Sequence, residues 1–386
     1  MKKILLFQLK TVCYDSYRYF SNALAAVLER AGFCIEIYDR TREPLEALNR
    51  YQGQRFDAMI DFNSDLPKLM LEEGGYYLDS IDAPFYDIIL DHPLYHHDML
   101  KTPLQNCHVI CLDRNHQQYI RENYPHIKTM DVLPMTGEPC PFTTPTTKMI
   151  DLLFTGTYTA STDIEAAIAN CPAFFQKDMH QMIAQMKASP ALTLEDCMQE
   201  LAKTEPMILE DFPLYMQAFF LVDSYIRAYE REQVLSTILD AGLPLTLCGE
   251  GWEQFLQNLP STSANQVTIL PAVAFGDSFL LMKRAKITLN IMPHFTDGTH
   301  DRIYSSMLNQ SLCVTDATPM LQEQFANGQD LYFYSKQRLG ELPTLLEHLL
   351  TDDFSREEIT RNGYKKASTH HTWVQRGEAL ISILNL

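Results

Sequence analysis

Residues 286–316 read KITLNIMPHFTDGTHDRIYSSMLNQSLCVTD, and this stretch decides the fold class. An apolar run opens the stretch and a second run, LCVT, comes near its end, so both runs are predicted to be buried strands. Between them, apolar residues recur four apart, as at Ile303 and Met307, which predicts a helix from about Thr299 to Gln310. A strand, a helix and a second strand in this order indicate a parallel sheet covered by helices.

The same alternation of strand-like and helix-like segments runs through most of the chain. Residues 136–149, TGEPCPFTTPTTKM, are dense in Pro and Thr and break both periodicities, so they are the best linker candidate. The sequence therefore predicts two doubly wound α/β domains, over 1–145 and 146–370, with a helical insertion at about 161–239 in the second. Two such domains facing each other form a cleft between opposed strand ends, where sheets of this kind bind ligands.

Composition and charge narrow the classes of function. The chain has 386 residues with 31 Lys and Arg against 49 Asp and Glu, a net charge of −18, and it shows no basic run. A generic nucleic-acid or anionic-membrane surface is therefore disfavoured. No apolar run approaches the roughly 18–20 residues of a membrane span, and the amino terminus does not have the pattern of a signal peptide. The nine scattered cysteines, without a Cys-x-x-Cys pair, favour reduced thiols and a cytoplasmic protein.

Two glycine-bearing turns follow predicted strands in the second domain. In LLFTGTYTAS, Gly156, Thr157 and Tyr158 come between a strand and a helix, where backbone N–H groups and hydroxyls can donate to a phosphate. In LTLCGEGWEQF, Gly249 and Gly251 flank Glu250, but the spacing does not match the dinucleotide fingerprint. An ordinary strand-to-helix turn is the alternative for both, with Trp252 packed on a core in the second.

The first domain carries a histidine cluster in ILDHPLYHHDML, residues 89–100. His92 and His96 can share a helical face, which suits a metal, but no third ligand is evident and Pro93 disturbs the local geometry. A histidine that contacts substrate or transfers a proton is the stronger functional interpretation. Ordinary core or surface histidines are the alternative.

Arg302 lies in the first turn of the helix predicted in the opening stretch. A cation at this end opposes the helix macrodipole, so Arg302 is not placed to stabilise the helix. An anion in front of the helix would explain it, because backbone N–H groups and a guanidinium together make a diphosphate site. The alternative is an ion pair of Arg302 with Asp297 or Asp301.

Residues 286–316, together with LQEQFANGQDLYFYS and REEITRNGYKKASTHHTWVQRGEAL, resemble the carboxyl half of group 1 glycosyltransferases. The similarity is greatest to the subgroup related to spore-maturation glycosyltransferases. It is carried by a strand ending in Asn, then Gly, Arg, an apolar pair and VTD, and by the terminal His371-Thr372-Trp373 with Arg376. The match is good over about 270–380 and only architectural before 145.

The resemblance implies a GT-B fold and a bacterial-type glycosyltransferase, of the hexosyltransferase class. It implies a nucleotide-sugar donor, UDP- or another NDP-sugar, in the second domain and a glycan or protein acceptor in the first, with a terminal helix at 371–386 that packs back on the first domain. The donor-binding residues that follow from it are Gly156, Thr157, Tyr158, Gly249, Glu250, Gly251, Trp252, Pro271, Asn290, Asp297, Gly298, His300, Asp301, Arg302 and Ser305.

Two positions depart from the pattern of the family. Asp297 falls at the first of two acidic positions eight apart, but the second, which holds the ribose in many members, is Ser305. Gln310 replaces the glycine that usually ends the helix, so Asn309 is expected to take the left-handed conformation instead.

The chemistry implied by the resemblance requires neither a cofactor nor a metal, and the chain contains no Asp-x-Asp motif. An inverting enzyme also needs a general base from the first domain, for which His92, His97 and Asp61 are candidates. A non-catalytic nucleotide-sugar-binding protein and a sugar-nucleotide epimerase of the same shape are the alternatives.

Overall fold

The computed structural model describes residues 2–11, 13–142 and 147–386. The strands within these ranges are β1 (Lys3–Gln8), β2 (Cys34–Asp39), β3 (Ala58–Phe62), β4 (Phe85–Ile88), β5 (Cys107–Cys111), β6 (Met130–Val132), β7 (Ile150–Thr155), β8 (Leu245–Cys248), β9 (Val267–Leu270), β10 (Ala285–Leu289), β11 (Leu312–Asp316) and β12 (Tyr332–Tyr334). The α-helices are α1 (Ser16–Arg30), α2 (His97–Leu100), α3 (Arg114–Asn123), α4 (Ser161–Ala169), α5 (Ala173–Ala188), α6 (Leu194–Ala202), α7 (Phe212–Ala218), α8 (Phe220–Asp240), α9 (Trp252–Gln257), α10 (Ser261–Ala264), α11 (Ser278–Arg284), α12 (Asp301–Leu308), α13 (Pro319–Gln324), α14 (Leu342–Thr351), α15 (Asp353–His370) and α16 (Trp373–Ile383).

The first compact unit contains Met1–Thr136, Ala274–Gly276 and His370–Leu386. Its six strands pair in the order β2-β1-β3-β4-β5-β6, and every pair is parallel. The terminal helix α16 packs on α1 of this unit. A Cβ at Gly377 would lie 2.2 Å from the side chain of Val27, so the absence of a side chain at this position lets the two helices approach.

The second compact unit contains Gly137–Val273 and Asp277–Thr369. Its six strands pair in the order β12-β11-β10-β7-β8-β9, again all parallel. Residues 285–316 form β10, α12 and β11, and Ile287 of β10 pairs with Leu312 of β11. The predicted class, two doubly wound α/β domains, is therefore confirmed.

A run of helices, α4 to α8, separates β7 from β8 in the second unit. The last of them, α8, is 21 residues long and packs on α4 and α5. It is therefore the crossover helix between two parallel strands, while α4 to α7 are the added helices of the predicted insertion.

The predicted domain boundary between residues 145 and 146 lies outside the described residues, as does part of the predicted linker at 136–149. The division between the compact units falls after Thr136.

The central strands are largely buried because helices cover both faces of each sheet, whereas the edge strands β2, β6 and β9 are mostly half-buried. Strand β3, for example, is buried at every residue, including Asp61. No helix in the described part of the chain is long and apolar enough to cross a membrane. All nine cysteines are free thiols.

Candidate functional site

The two glycine-bearing turns of the second unit are joined into one structure at the carboxyl ends of β7 and β8. The N–H of Gly156 donates to the carbonyl of Cys248 at 2.9 Å, and that of Tyr158 to the carbonyl of Glu250 at 2.8 Å. The indole Nε1 of Trp252 donates to the carbonyl of Gly156 at 2.9 Å. The loops that the sequence presents separately therefore act as a single rigid element.

Gly251 is required where these loops meet. Its φ is +85°, a backbone conformation that side chains rarely adopt, and a Cβ there would lie 2.3 Å from the carbonyl oxygen of Tyr158. The ring of Tyr158 stacks on that of Trp252, with centroids 5.3 Å apart. The sequence pattern Gly-x-Gly-Trp therefore fixes the conformation of the neighbouring loop.

Helix α12 begins close to these loops, just after its N-cap residue His300. The Nδ1 of His300 accepts a hydrogen bond from the N–H of Arg302 at 3.2 Å, so the imidazole takes the place of the usual hydroxyl or carboxylate cap. The helix spans Asp301–Leu308 and is shorter than the predicted range at both ends.

The expectation that Asn309 takes the left-handed conformation after α12 is wrong. Gln310 has a φ of +55°, whereas Asn309 has a φ of −101°. The amide of Asn309 is used for tertiary contacts instead. Its Oδ1 accepts from the N–H of Cys140 at 2.6 Å, and its Nδ2 donates to the carbonyl of Glu138 at 3.0 Å. These bonds fix the start of the second unit against the end of α12.

Arg302 points from α12 back towards the ends of the strands. Its Nη1 donates to Oδ1 of Asn290 at 2.7 Å and its Nε to Oγ1 of Thr155 at 3.2 Å, and the residue is 9% exposed. Among the described residues, no carboxylate oxygen lies within 4.0 Å of this guanidinium, so the alternative ion pair with Asp297 or Asp301 does not form. Its Nη2 lies 3.5 Å from the position that a Cβ of Gly156 would occupy. Its hydrogen-bond partners are neutral, and Asp301 acts on it without a direct ion pair. A buried cation of this kind, facing a glycine loop, is the strongest sign of an anion site.

Two further arginines, which the sequence analysis did not identify, extend this positive region. Arg231 of α8 donates to the carbonyl of Thr157. Its guanidinium lies 5.6 Å from the ring centre of Phe154, and that of Arg302 lies 5.1 Å from the same ring. Arg227, one helical turn earlier on α8, adds a positive charge that acts on His300, while its Nη1 lies 3.7 Å from Oδ2 of Asp223. The spacing of four residues in RAYER was the available signal, because it places both side chains on one face of a helix.

The charges of these arginines and the burial of the site perturb its titratable groups. Burial, and then the positive charges of Arg302, Arg227 and Arg231, hold the pKa of His300 well below its usual value. Burial raises the pKa of Asp301 to about 6. The imidazole is therefore neutral near pH 7, in agreement with its role as a hydrogen-bond acceptor for the helix.

Several of the other predicted donor-binding residues stabilise the loops around the arginine. The Nδ2 of Asn290 donates to Thr315 at 2.9 Å while its oxygen accepts from Arg302, so its orientation is fixed. Oδ1 of Asp297 accepts from the N–H of Met320 at 2.9 Å at the start of α13. The carbonyl of Gly298 accepts from Thr318, and that of Pro271 from the thiol of Cys248.

Ser305, which stands where the family pattern has glutamate, is completely buried. Its hydroxyl donates to the carbonyl of Asp301 within the same helix, at 2.8 Å. A Cβ on Gly137 would lie 2.2 Å from the Ser305 hydroxyl oxygen, so the start of the second unit closes over this position. The backbone at Gly137 comes so close that only a small side chain fits at position 305.

In the first unit, the candidate base Asp61 lies on β3 beside Asp87 of β4. Oδ1 of Asp61 accepts from the N–H of Phe62 at 2.8 Å, while its buried Oδ2 has no hydrogen-bond partner among the described residues. Asp87 accepts from the N–H of Ser64 at 3.1 Å. Burial raises the pKa of Asp61 well above its usual value and that of Asp87 to about 7.

The candidate histidines of the first unit are buried and held by their neighbours. Nδ1 of His92 accepts from the N–H of Leu94 at 3.0 Å, which caps the short turn that follows, and its ring packs on that of His116. Nδ1 of His97 lies 3.0 Å from the hydroxyl of Tyr124. The described residues contain no group of three His, Cys, Asp or Glu side chains arranged as a metal site.

The profile of one known family matches part of the second unit and the terminal helix. Residues 229–382 match the profile of a family described as glycosyl transferase-like. The matched range includes Arg231, Arg302 and the segment from β8 to α16. A search of curated protein sequences gives no match.

Several solved structures have a similar fold, and their alignments cover the whole chain. HepE of Anabaena, solved with UDP and glucose, has a TM-score of 0.56 at 12% identity, with all of both chains covered. The T4 phage β-glucosyltransferase has a TM-score of 0.57 at 11% identity, also with full coverage. Sucrose-phosphate synthase of Thermosynechococcus elongatus has a TM-score of 0.59 at 9% identity, covering 100% of this chain and 98% of the other. At these identities the similarity establishes a shared fold of two doubly wound domains.

Proposed function

We propose that this protein, whose residues 229–382 match the glycosyl transferase-like family, is a glycosyltransferase of the GT-B fold that transfers a sugar from a nucleotide-diphosphate donor to a glycan or protein acceptor. The second unit binds the donor, at the joined loops of β7 and β8 and the start of α12. The chemistry is carried by side chains and backbone groups, without a metal.

The observation that carries this proposal is the environment of Arg302. Removing a guanidinium from water without a counter-charge is costly, and proteins keep such groups only where a ligand or a partner compensates. Within the described residues its partners are the neutral side chains of Asn290 and Thr155. Asp301 acts on the guanidinium only through space, and a donor diphosphate at the Gly156 loop would supply a directly bonded negative charge.

The arginines of α8 suit the same ligand. Departure of a nucleoside diphosphate leaves negative charge on its oxygens, and preorganised cations lower the barrier by stabilising that charge. Arg227 and Arg231 add two guanidiniums to Arg302 near His300. Three cations and the amino end of α12 can therefore replace the charge that a metal ion supplies in other transferases.

Asp61 is the candidate base that the geometry favours. A general base works best when its pKa approaches the operating pH, and burial raises that of Asp61. Its Oδ2 accepts no hydrogen bond from a described residue, whereas Nδ1 of His92 already accepts one from Leu94. His92 and His97 remain candidates for contacts with the sugar.

UDP-glucose is the first donor to test. Structural neighbours with the same fold were solved with UDP and glucose or with UDP-glucose as substrate. Pro271, at the end of β9, is the proposed contact for the base, and the Gly249–Trp252 turn lies on the path to it.

A cytoplasmic location agrees with the free thiols. None of the nine cysteines forms a disulfide, which is typical of proteins in a reducing compartment. We propose that the protein acts there, where nucleotide sugars are made.

The proposal is tested by ligand-induced stabilisation followed by a transfer assay. Thermal unfolding is measured with UDP, GDP, CMP and dTDP and with their sugars, with NAD as the negative control. A ligand at about 100 times its dissociation constant stabilises the native state by roughly 2.7 kcal/mol. We expect one nucleoside diphosphate and its sugar to stabilise the protein, and the sugar to be transferred to an acceptor.

The possible outcomes separate the candidate functions. Binding of a nucleotide sugar without transfer or hydrolysis across a broad acceptor set would favour the non-catalytic binding protein. Conversion of the donor into its epimer without an acceptor would identify an epimerase. Absence of binding by every nucleotide would refute the donor site.

A further inference from the structure

A cavity of about 1070 Å³ lies in the second unit at the carboxyl ends of β11 and β12. None of the proposed donor-binding residues lines it. Its lining residues include His294, Phe295, Asp316, Gln322, Tyr332 and Phe333. This volume is slightly above the usual range for ligand sites, which are typically about 300–1,000 Å³.

The most specific group in the cavity wall is His294. Its Nδ1 lies 2.8 Å from Oδ1 of Asp223, and the two side chains are 6% and 2% exposed. Asp223 is the sole hydrogen-bond partner of this imidazole among the described residues, so Nε2 is available to a ligand. His294 also has a φ of +62°, which is rare for a side chain other than glycine, asparagine or aspartate. Backbone strain of this kind is concentrated at functional sites.

Other lining groups combine aromatic rings with neutral hydrogen-bonding groups. Tyr332 and Phe333, on edge strand β12, are half-buried, so part of each residue is accessible. Gln322 contributes an amide to the same cavity, and Ser335 a hydroxyl. An aromatic face beside amide and hydroxyl groups suits a ligand that has one apolar face and many hydroxyls.

The charges of the cavity disfavour phosphorylated and lipid ligands. Lys336 is already bound by Glu230 at 2.6 Å and by Asp316 at 2.9 Å, and Arg338 is paired with Glu341 at 3.2 Å. The lysine of the lining is therefore already neutralised and is not available to a phosphate. The charged and amide groups in the wall are equally unsuited to an alkyl chain.

We propose that this cavity binds a neutral saccharide. The sugar ring stacks on Tyr332, and its hydroxyls bond to Nε2 of His294 and to the amide of Gln322. A hydroxyl can donate or accept, so it pairs with either protonation state of the imidazole. This site is additional to the donor site and does not depend on the transfer reaction.

The test measures saccharide binding by the full chain, using saturation-transfer NMR with maltose, cellobiose, lactose and N,N′-diacetylchitobiose. UDP is present throughout, to occupy the proposed donor site. His294→Asn is the diagnostic variant. Asparagine tolerates a positive φ, and its amide can still donate to Asp223 while the Nε2 group is lost. Tyr332→Ala removes the stacking surface, and Arg284→Gln, at an exposed position on α11, serves as the control.

We expect at least one disaccharide to bind saturably, with an affinity about tenfold lower in His294→Asn, as for a lost hydrogen bond. We expect a loss at least as large in Tyr332→Ala and none in Arg284→Gln. Absence of binding by every disaccharide would overturn the proposal. It would also be overturned if binding persisted in both cavity variants, since the sugar would then lie elsewhere. Loss of transfer activity alone would affect only the proposed function.

Discussion

Nη1 of Arg302 donates to Oδ1 of Asn290 at 2.7 Å, and this amide, rather than a carboxylate, holds the guanidinium in place. Asn290 is itself fixed by its bond to Thr315. The arrangement orients the cation without neutralising it. In the protein without ligand, the charge therefore remains available to an arriving anion, at a cost in stability.

Arg302→Gln is expected to weaken nucleotide binding without lowering the stability of the protein. The glutamine amide can still donate to Asn290, while the buried charge is removed. The free energy of unfolding of the ligand-free protein should therefore stay the same or rise, as urea denaturation would show. The affinity for the nucleoside diphosphate should fall about 10- to 100-fold, the effect of losing a charge-assisted hydrogen bond.

Arg284→Gln is the matched control, because Arg284 is exposed on α11. It should change neither quantity. If Arg302→Gln were strongly destabilised and bound nucleotide normally, Arg302 would be a structural residue and the donor assignment would fail.

Gly251→Ala is expected to disrupt the joined loops. The new Cβ would lie 2.3 Å from the carbonyl oxygen of Tyr158, in addition to the strain of a positive φ. Gly242→Ala is the control, because its φ of +78° is similar but no atom lies within 4 Å of its Cβ. The free energy of unfolding of the control should fall by about 1–2 kcal/mol because of backbone strain alone. That of Gly251→Ala should fall clearly more. Stabilisation by UDP should also be reduced in Gly251→Ala only. Equal losses in the two variants would show that the close contact with Tyr158 has no effect.

Substitutions of Ser305 test whether this position accepts the glutamate that the family pattern has there. In Ser305→Glu a charged side chain would enter a completely buried position beside Gly137. We therefore expect the free energy of unfolding to fall by more than about 3 kcal/mol, or the protein to be insoluble. Ser305→Ala should lose about 1 kcal/mol with its hydrogen bond to Asp301, and transfer should be retained. A large rise in KM for Ser305→Ala would instead indicate direct contact with the donor. A soluble, more active Ser305→Glu would show that the site accommodates the carboxylate of the family.

The sequence predicted those features that follow from local patterns. Alternating strands and helices gave the two parallel sheets, and Gly251 marked a turn that a side chain cannot enter. Arg302 was identified because a cation at the start of a helix needs an explanation. Arg227 and Arg231 were missed because they lie about 70 residues from the loops they approach, and only folding of α8 brings them there. The left-handed residue after α12 was misassigned for a similar reason, since the tertiary bonds from Asn309 to residues 138–140 outweigh its local preference.

The pH dependence of stability is expected to depend on Asp87. Burial raises its pKa to about 7 in the folded protein, from an ordinary value of 3.8. Between these two pH values the unfolded chain has released the proton and the folded chain retains it, so stability falls as the pH rises from about 4 to 7. Each pH unit in this window costs about 1.4 kcal/mol for one such group.

Asp87→Asn removes this group and should therefore flatten the decline. Urea denaturation at pH 5 and pH 8 would show a smaller loss of stability in Asp87→Asn than in the wild type, by a few kcal/mol. Asp82→Asn, at an exposed position, is the control and should behave as the wild type. Asp61→Asn should also reduce the pH dependence, because burial raises the pKa of Asp61 too. Only Asp61→Asn should also slow transfer, since Asp61 is the proposed base and Asp87 is not. If Asp87→Asn lost as much stability as the wild type between pH 5 and pH 8, Asp87 would be ionised throughout and its raised pKa would be refuted.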